Sequence, residues 1–381
     1  MPVDIIRQIY NVLGVFVGPS PATGFMTSSG TVASPISGVN LLNPIPRVQS
    51  ASIDLSIPRQ DVNQFGQLTR LSNVIVDNPE VSLNLEYLLL DGYAESILGF
   101  AASGQQSFVS GFIDGTQSEK NYFLGIAPQG TDLINYSSPN SINVAAIGNG
   151  TVSNYSLNLA VGQIPRATVT IQGNNFQTYT GSANKASPAI NPYTALPIVG
   201  PQFSLPTMSG YTGVNLPACL RPGDISLALG ISGSPFDYTS GVGTIRVQGL
   251  SMSVPIALDP IKQLGNPYPI ARPIRFPVNC TLSIDATVGD VLQQNVANLF
   301  CSDLPVNLAF TLNNPNCARS PDNAITVWFN QAKLENRNYA ASIGQNSTVR
   351  LNFSNQLGGI TSNYLGQGVI FSGSYGDTPV A

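Results

Sequence analysis

Two runs of strict alternation, 199 residues apart, constrain this chain more than any other feature. Ala51, Ile53, Leu55 and Ile57 alternate with Ser52, Asp54 and Ser56, and Leu250, Met252, Val254 and Ile256 repeat the apolar positions. A period of two sends successive side chains to opposite faces, so both runs read as strands with one buried face. Arg47-Val48-Gln49-Ser50 leads into the first run and Arg246-Val247-Gln248-Gly249 into the second. The same offset survives a polar, Pro/Gly-marked connection, where Gln64-Phe65-Gly66 corresponds to Gln263-Leu264-Gly265. A further strand follows in each half, with Val81, Leu83 and Leu85 matching Cys280, Leu282 and Ile284.

Asp91 and Asp290 are each placed to cap a short helix whose apolar residues fall three or four apart: Tyr93, Ile97, Leu98 and Phe100 in one, Val291, Leu292, Val296, Leu299 and Phe300 in the other. Strand-like runs follow at Phe108 to Ile113 and Tyr122 to Ile126, then at Val306 to Leu312 and Ile325 to Phe329. Each half closes on two alternating runs, Tyr155 to Val161 and Ala167 to Ile171, matched by Tyr339 to Ile343 and Val349 to Phe353. The expected fold class is therefore α+β, mainly β: two tandem β-sandwich or barrel units, each with one short helix packed on its sheets. The boundaries expected are 1–173 for the first unit, with an N-terminal arm, and 221–381 for the second. Between them, 174–220 is rich in Pro, Gly and Asn and reads as a linker or surface arm. Ile9 to Val17 reads as a docked strand or arm rather than a leader, because Asp4 precedes Arg7 and no basic segment opens it.

The chain contains no histidine, which excludes Ser-His-Asp and Cys-His catalysis and imidazole-based zinc sites together. Charged residues are only 9% of the chain and the net charge is −4, so electrostatic capture of nucleic acid is not expected. Cys219, Cys280, Cys301 and Cys317 form no Cys-x-x-Cys pair, and Cys280 occupies an apolar strand position where a thiol acts as a small hydrophobe. No P-loop, dinucleotide fingerprint or Gly-x-Ser-x-Gly elbow occurs, although Gly230-Ile231-Ser232-Gly233 comes near the last. Asp91-Gly92 and Asp114-Gly115 lack the alternating ligands of a calcium loop, so no metal and no cofactor are assigned.

One acid–base pair remains conceivable, Asp54 with Glu86, since glycoside hydrolysis needs only two carboxyls at a fixed separation. A secreted β-rich glycan-binding or hydrolytic protein is the rival reading from another functional class. The ordinary reading is a solvated sheet face. The polar positions of the repeated strands, Ser52, Asp54, Asn84, Glu86, Ser253, Ser283 and Asp285 among them, are small or acidic. Joined around a ring, they would line a wet, mildly negative lumen that does not trap phosphates, with Arg350 the exception to that trend.

In the strand ending at Ile57, the loop Asp61-Val62-Asn63-Gln64-Phe65-Gly66, the strand through Val81 to Leu85, the helix from Asp91, and Ala341-Ser342-Ile343-Gly344 with Thr348-Val349-Arg350-Leu351, the chain resembles the tail tube (major tail) proteins of tailed bacteriophages, in a form with two tandem tube-type domains. The resemblance implies a non-enzymatic virion protein of the tail, assembled in the bacterial cytoplasm. It implies homotrimeric, pseudo-sixfold rings stacked into a tube that conducts the tape-measure protein and then DNA, and that meets tail-tip and terminator proteins. Other virion roles, in a tail tip, neck or capsid decoration, are the nearest alternatives. By the same resemblance the loops Pro58 to Asn78 and Ala257 to Arg275 would reach the adjacent ring. Phe65 and Leu264 would be their anchors, with Arg59, Asp61, Lys262 and Arg272 as rim charges.

Overall fold

The computed structural model describes residues 13–19, 39–113, 119–127, 133, 142–182, 185–191, 194, 196–198, 202–206, 219–229, 247–266, 268–287, 306–314, 323–340, 348–357 and 368–374. The first strands are β1 (Leu13–Pro19), β2 (Val39–Leu41), β3 (Asn43–Ile45) and β4 (Val48–Ser56). A ribbon of β5 (Arg59–Val62) and β6 (Ser72–Ile75) leads to β7 (Glu80–Leu88) and α1 (Tyr93–Leu98). After β8 (Ser103–Ser107) and α2 (Ser110–Ile113) come β9 (Lys120–Ile126), the long β10 (Asn143–Ala160), β11 (Arg166–Gly173) and β12 (Asn175–Thr180). Two short strands, β13 (Lys185–Ala186) and β14 (Gln202–Ser204), precede β15 (Ile225–Leu229), β16 (Val247–Pro255) and β17 (Val278–Thr287). The chain continues through β18 (Val306–Asn313), the long β19 (Asn323–Ala340), β20 (Thr348–Leu357) and β21 (Gly368–Gly373).

Eight strands form one antiparallel central sheet in the order β4-β7-β11-β10-β16-β17-β20-β19. β10 and β19, 18 residues each, leave this sheet at their N-terminal halves to enter two flanking sheets. One flank pairs β10 with β9 and β12, and β9 with β1; the other pairs β19 with β18 and β21, and β18 with β15. The alternation dictates this layering, because Val81, Leu83, Leu85 and Tyr87 all point into the core while the residues between them face outward. The larger apolar core runs from Val15 to Phe371 through both sets of strands, and a second, smaller one gathers Phe16, Leu42, Phe123 and Phe203.

The two sets pair in the same register. Ala51 faces Leu85 and Ile53 faces Leu83, as Leu250 faces Ile284 and Met252 faces Leu282, with a bulge after Val48 in one and after Val247 in the other. β10 with β11 and β19 with β20 repeat at an offset of 182: Val152 faces Ile171 and Leu157 faces Ala167, as Leu334 faces Phe353 and Tyr339 faces Val349. The counterpart of Tyr339 is thus Leu157, not Tyr155. The fold is mainly β with two short helices among the described residues, as the alternation requires.

Three local expectations differ. Phe108 to Ile113 is not a strand: α2 begins at Ser110, and Phe108 instead stacks on Phe100 with ring centroids 4.3 Å apart. The residue preceding α1 is Gly92, but Asp91 still does the capping chemistry, its Oδ1 accepting the Tyr93 N–H at 3.1 Å. The segment expected as a linker opens with a strand, β12, because its prolines start only at Pro188 and Phe176 to Tyr179 have strand-forming side chains. The helix expected from Asp290, and Ala341 to Gly344, lie outside the described residues. β1 does dock, burying Val15, Phe16 and Val17 against β9.

That segment is fastened to the first set of strands by a close backbone approach. A Cβ on Gly148 would lie 2.1 Å from the Pro188 carbonyl oxygen. Gly148→Ala is expected to cost about 3 kcal/mol, since backbone rather than a flexible side chain must give way; a urea midpoint unchanged from wild type would contradict it.

Candidate assembly surfaces

The polar face of the central sheet carries all seven sequence-expected lining residues, alternating with core residues on β4, β7, β16 and β17. Across it run rows of polar side chains, for example the Glu86 carboxylate followed by the hydroxyls of Thr168, Ser156, Ser253 and Thr281 on adjacent strands. Its carboxylates are largely matched. Arg350 makes a two-pronged pair with Asp285, at 2.7 and 2.9 Å, and Arg166 pairs with Glu86. The face is therefore closer to neutral than the strand pattern implied, because Arg166 and Arg350 arrive on neighbouring strands that the alternation alone did not bring together. Asp54 and Glu86 are not an acid–base pair: Glu86 faces Ser50 and Asp54 faces Ser82. Four residues of strand separate them, about 13 Å, beyond the roughly 9.5 Å of an inverting hydrolase.

Both long connections are hairpins of identical register. Val76 N–H donates to Pro58 O and Leu71 N–H to Val62 O, as Arg275 N–H donates to Ala257 O and Ile270 N–H to Ile261 O. Each tip turns through a glycine of positive φ, Gly66 at 88° and Gly265 at 83°, which holds Phe65 and Leu264 out in solvent, fully exposed. The rim charges divide. Lys262 and Arg272 reach across to the first set of strands, Lys262 to the Asp77 carboxylate and Arg272 to Gln172 O at 3.1 Å. Arg59 and Asp61 stay within their own hairpin: Asp61 Oδ1 accepts the Asn73 amide at 2.5 Å and the Arg70 guanidinium at 2.9 Å, and Arg59 reaches Asn73. These bonds hold the Asp61 carboxyl below the usual carboxylate range, the Asn73 bond contributing most. The first hairpin also exposes Leu68, Leu71, Val74, Ile75 and Val76.

The sheet ends on two edges. Among the described residues β4 pairs only with β7, and the segment of β19 from Leu334 to Ala340 pairs only with β20. Inside the chain the counterpart of the first edge is filled: β16 pairs with β10, with Val254 facing Tyr155 and Met252 facing Leu157. The consequence is visible in burial. Val254 and Ile256 are 0% and 1% exposed, whereas their counterparts Leu55 and Ile57 are 52% and 41% exposed.

One buried group carried little signal in the sequence. Glu95 of α1 is enclosed in the core, with its Oε1 accepting the hydroxyls of Tyr87 at 2.9 Å and Tyr155 at 3.2 Å. Loss of hydration pushes its pKa up to about 7, against the opposing pull of those hydrogen bonds. The one hint is its place three residues before Leu98, on the same helix face. Cys280 is buried, and burial pushes its thiol pKa upward, as expected of a packing residue. Among the described residues there is no cluster of three or more potential metal ligands, and no helix long and apolar enough to cross a membrane. The chain matches no protein-family model and no curated protein sequence, so its functional reading rests on its own geometry.

Proposed function

We propose that this chain is a virion structural protein that polymerises edge to edge into rings, which stack as the tail tube of a bacteriophage. The observation that carries this reading is the β16–β10 junction. It supplies, within one molecule, the pairing partner that β4 lacks among the described residues, in a register that the two matched strand sets allow to be repeated. Applying the offsets 199 and 182, β4 of one copy pairs with β19 of the next: Ile53 opposite Tyr339, Asp54 opposite Asn338, Leu55 opposite Arg337. Closing a ring this way removes both sheet edges, which otherwise invite open-ended aggregation. Three chains of two units would give a six-unit ring. The charge-matched face of Ser52, Asn84, Ser253 and Ser283 then lines a lumen with no excess of cations to retain a phosphate backbone in transit.

Light scattering over a concentration series, with electron microscopy of the same samples, tests the reading. Three-chain rings and hollow tubes are expected; a protein that stays monomeric at every concentration overturns it. Phe65→Asp combined with Leu264→Asp is expected to leave folding and ring mass unchanged, since both side chains are solvent-exposed, while abolishing stacking of rings into tubes. Tubes of normal length from the double variant would remove these residues from the inter-ring contact.

A further inference from the structure

The two hairpins share a register but not a seat. The second, residues 257–275, follows β16 and folds back over the ends of β4, β7 and β11, where Asp54, Ser56, Glu80, Ser82 and Gln172 meet its Pro260, Lys262 and Arg272. That seat exists because β16 pairs with β10, which places the hairpin beside the first strand set of the same chain. The first hairpin, residues 58–78, follows β4, whose outer edge has no strand beside it among the described residues. Both of its strands are solvent-exposed almost throughout.

We infer that the first hairpin is a clamp acting in trans: it seats on the second strand set of the neighbouring copy, over Ser253, Pro255, Asn279, Thr281 and Ser354. These are the positions that the offsets 199 and 182 assign to Asp54, Ser56, Glu80, Ser82 and Gln172. The inference rests on the edge-to-edge reading above and adds to it a second contact within the ring, distinct from the hairpin tip. The chemistry of the seat differs from its counterpart in cis. Lys262 and Asp77 map to Asn63 and Phe276, and Arg272 and Glu80 map to Asn73 and Asn279, so a charged latch is replaced by an uncharged one. Phe276 is half-exposed and Pro277 is exposed, at the place where the neighbour's hairpin base would cover them. A seat without ion pairs is insensitive to salt, whereas the seat in cis contains a screened surface pair.

The test uses a short bis-maleimide cross-linker on full-length protein. One batch carries Asn63→Cys and another Phe276→Cys; both positions are solvent-exposed, and the two are mixed before assembly. A covalent two-chain product is expected from the mixture and from neither batch alone. Lys262→Cys with Asp77→Cys in one chain is the geometric control, giving a cross-link within a single chain. Asp54→Cys mixed with Asn338→Cys reports edge pairing independently, through a disulfide on oxidation. Edge disulfides and ring mass without the 63–276 product would overturn the clamp and leave the edge reading standing. Absence of both the disulfide and any assembly would overturn the two together.

Discussion

Leu55→Pro is expected to abolish assembly while leaving the monomer folded. In the β16–β10 junction the Ile256 N–H donates to Ser153 O, so residues at the phase of Ile256 point their N–H groups toward the partner strand. Leu55 has that phase on β4, so its N–H points away from β7 into the open edge. Proline removes that donor and adds ring bulk on the partner's side, yet costs β7 no hydrogen bond, which is the one setting where a strand tolerates proline. The side chain lost is already half-exposed. Leaving a neighbour's carbonyl unpaired costs about 1–3 kcal/mol per junction, or roughly 10- to 100-fold in association at each of three junctions. Light scattering should show monomer at concentrations where wild type forms rings, with an unchanged circular dichroism spectrum. Rings of normal mass from this variant would exclude β4 as the assembly edge.

Glu95→Gln is expected to stabilise the folded chain at pH 8 and to be neutral near pH 4.5. The native carboxyl titrates at about 7 and its ordinary value is 4.5. Below 4.5 it is protonated both folded and unfolded, and its contribution to stability is fully present. As pH rises toward 7 the unfolded chain releases the proton first, so stability falls with pH and levels off above 7. The interval corresponds to about 3 kcal/mol, lost because a carboxylate is disfavoured in the core around Tyr87 and Tyr155. Glutamine keeps an acceptor for both hydroxyls and does not ionise, so its profile should lack this slope. Urea unfolding at pH 4.5, 6 and 8 in the Leu55→Pro background, where assembly does not interfere, measures the difference. Parallel profiles for the two chains would mean that Glu95 ionises as readily in the folded chain as in the unfolded one. Because Glu95 bonds Tyr155, whose backbone faces Val254 across the internal junction, the group lies directly behind the contact on which the assembly is patterned.

What the sequence by itself determined was local. A period of two sorts side chains onto two faces whatever the partner strand, so β4, β7, β16 and β17 were legible as strands, with the buried sets of β7, β16 and β17 and the matching tips at Phe65 and Leu264, whereas Leu55 of β4 and Ile57 just after it stay exposed. The prolines misled over Asn175 to Thr180 because they lie downstream of it, and Phe108 to Ile113 was too short for apolar content to separate strand from turn. What only the tertiary structure decided was adjacency. That Arg166 reaches Glu86, that Lys262 reaches Asp77, and that Glu95 is walled in by two tyrosines depend on residues between 8 and 185 positions apart. The decisive adjacency, β16 beside β10, joins strands that no local pattern links, because antiparallel hydrogen bonding is satisfied by any strand of matching length and face. Packing of the shared core selects the partner, and among the described residues that choice leaves β4 open at one end of the sheet and β19 at the other.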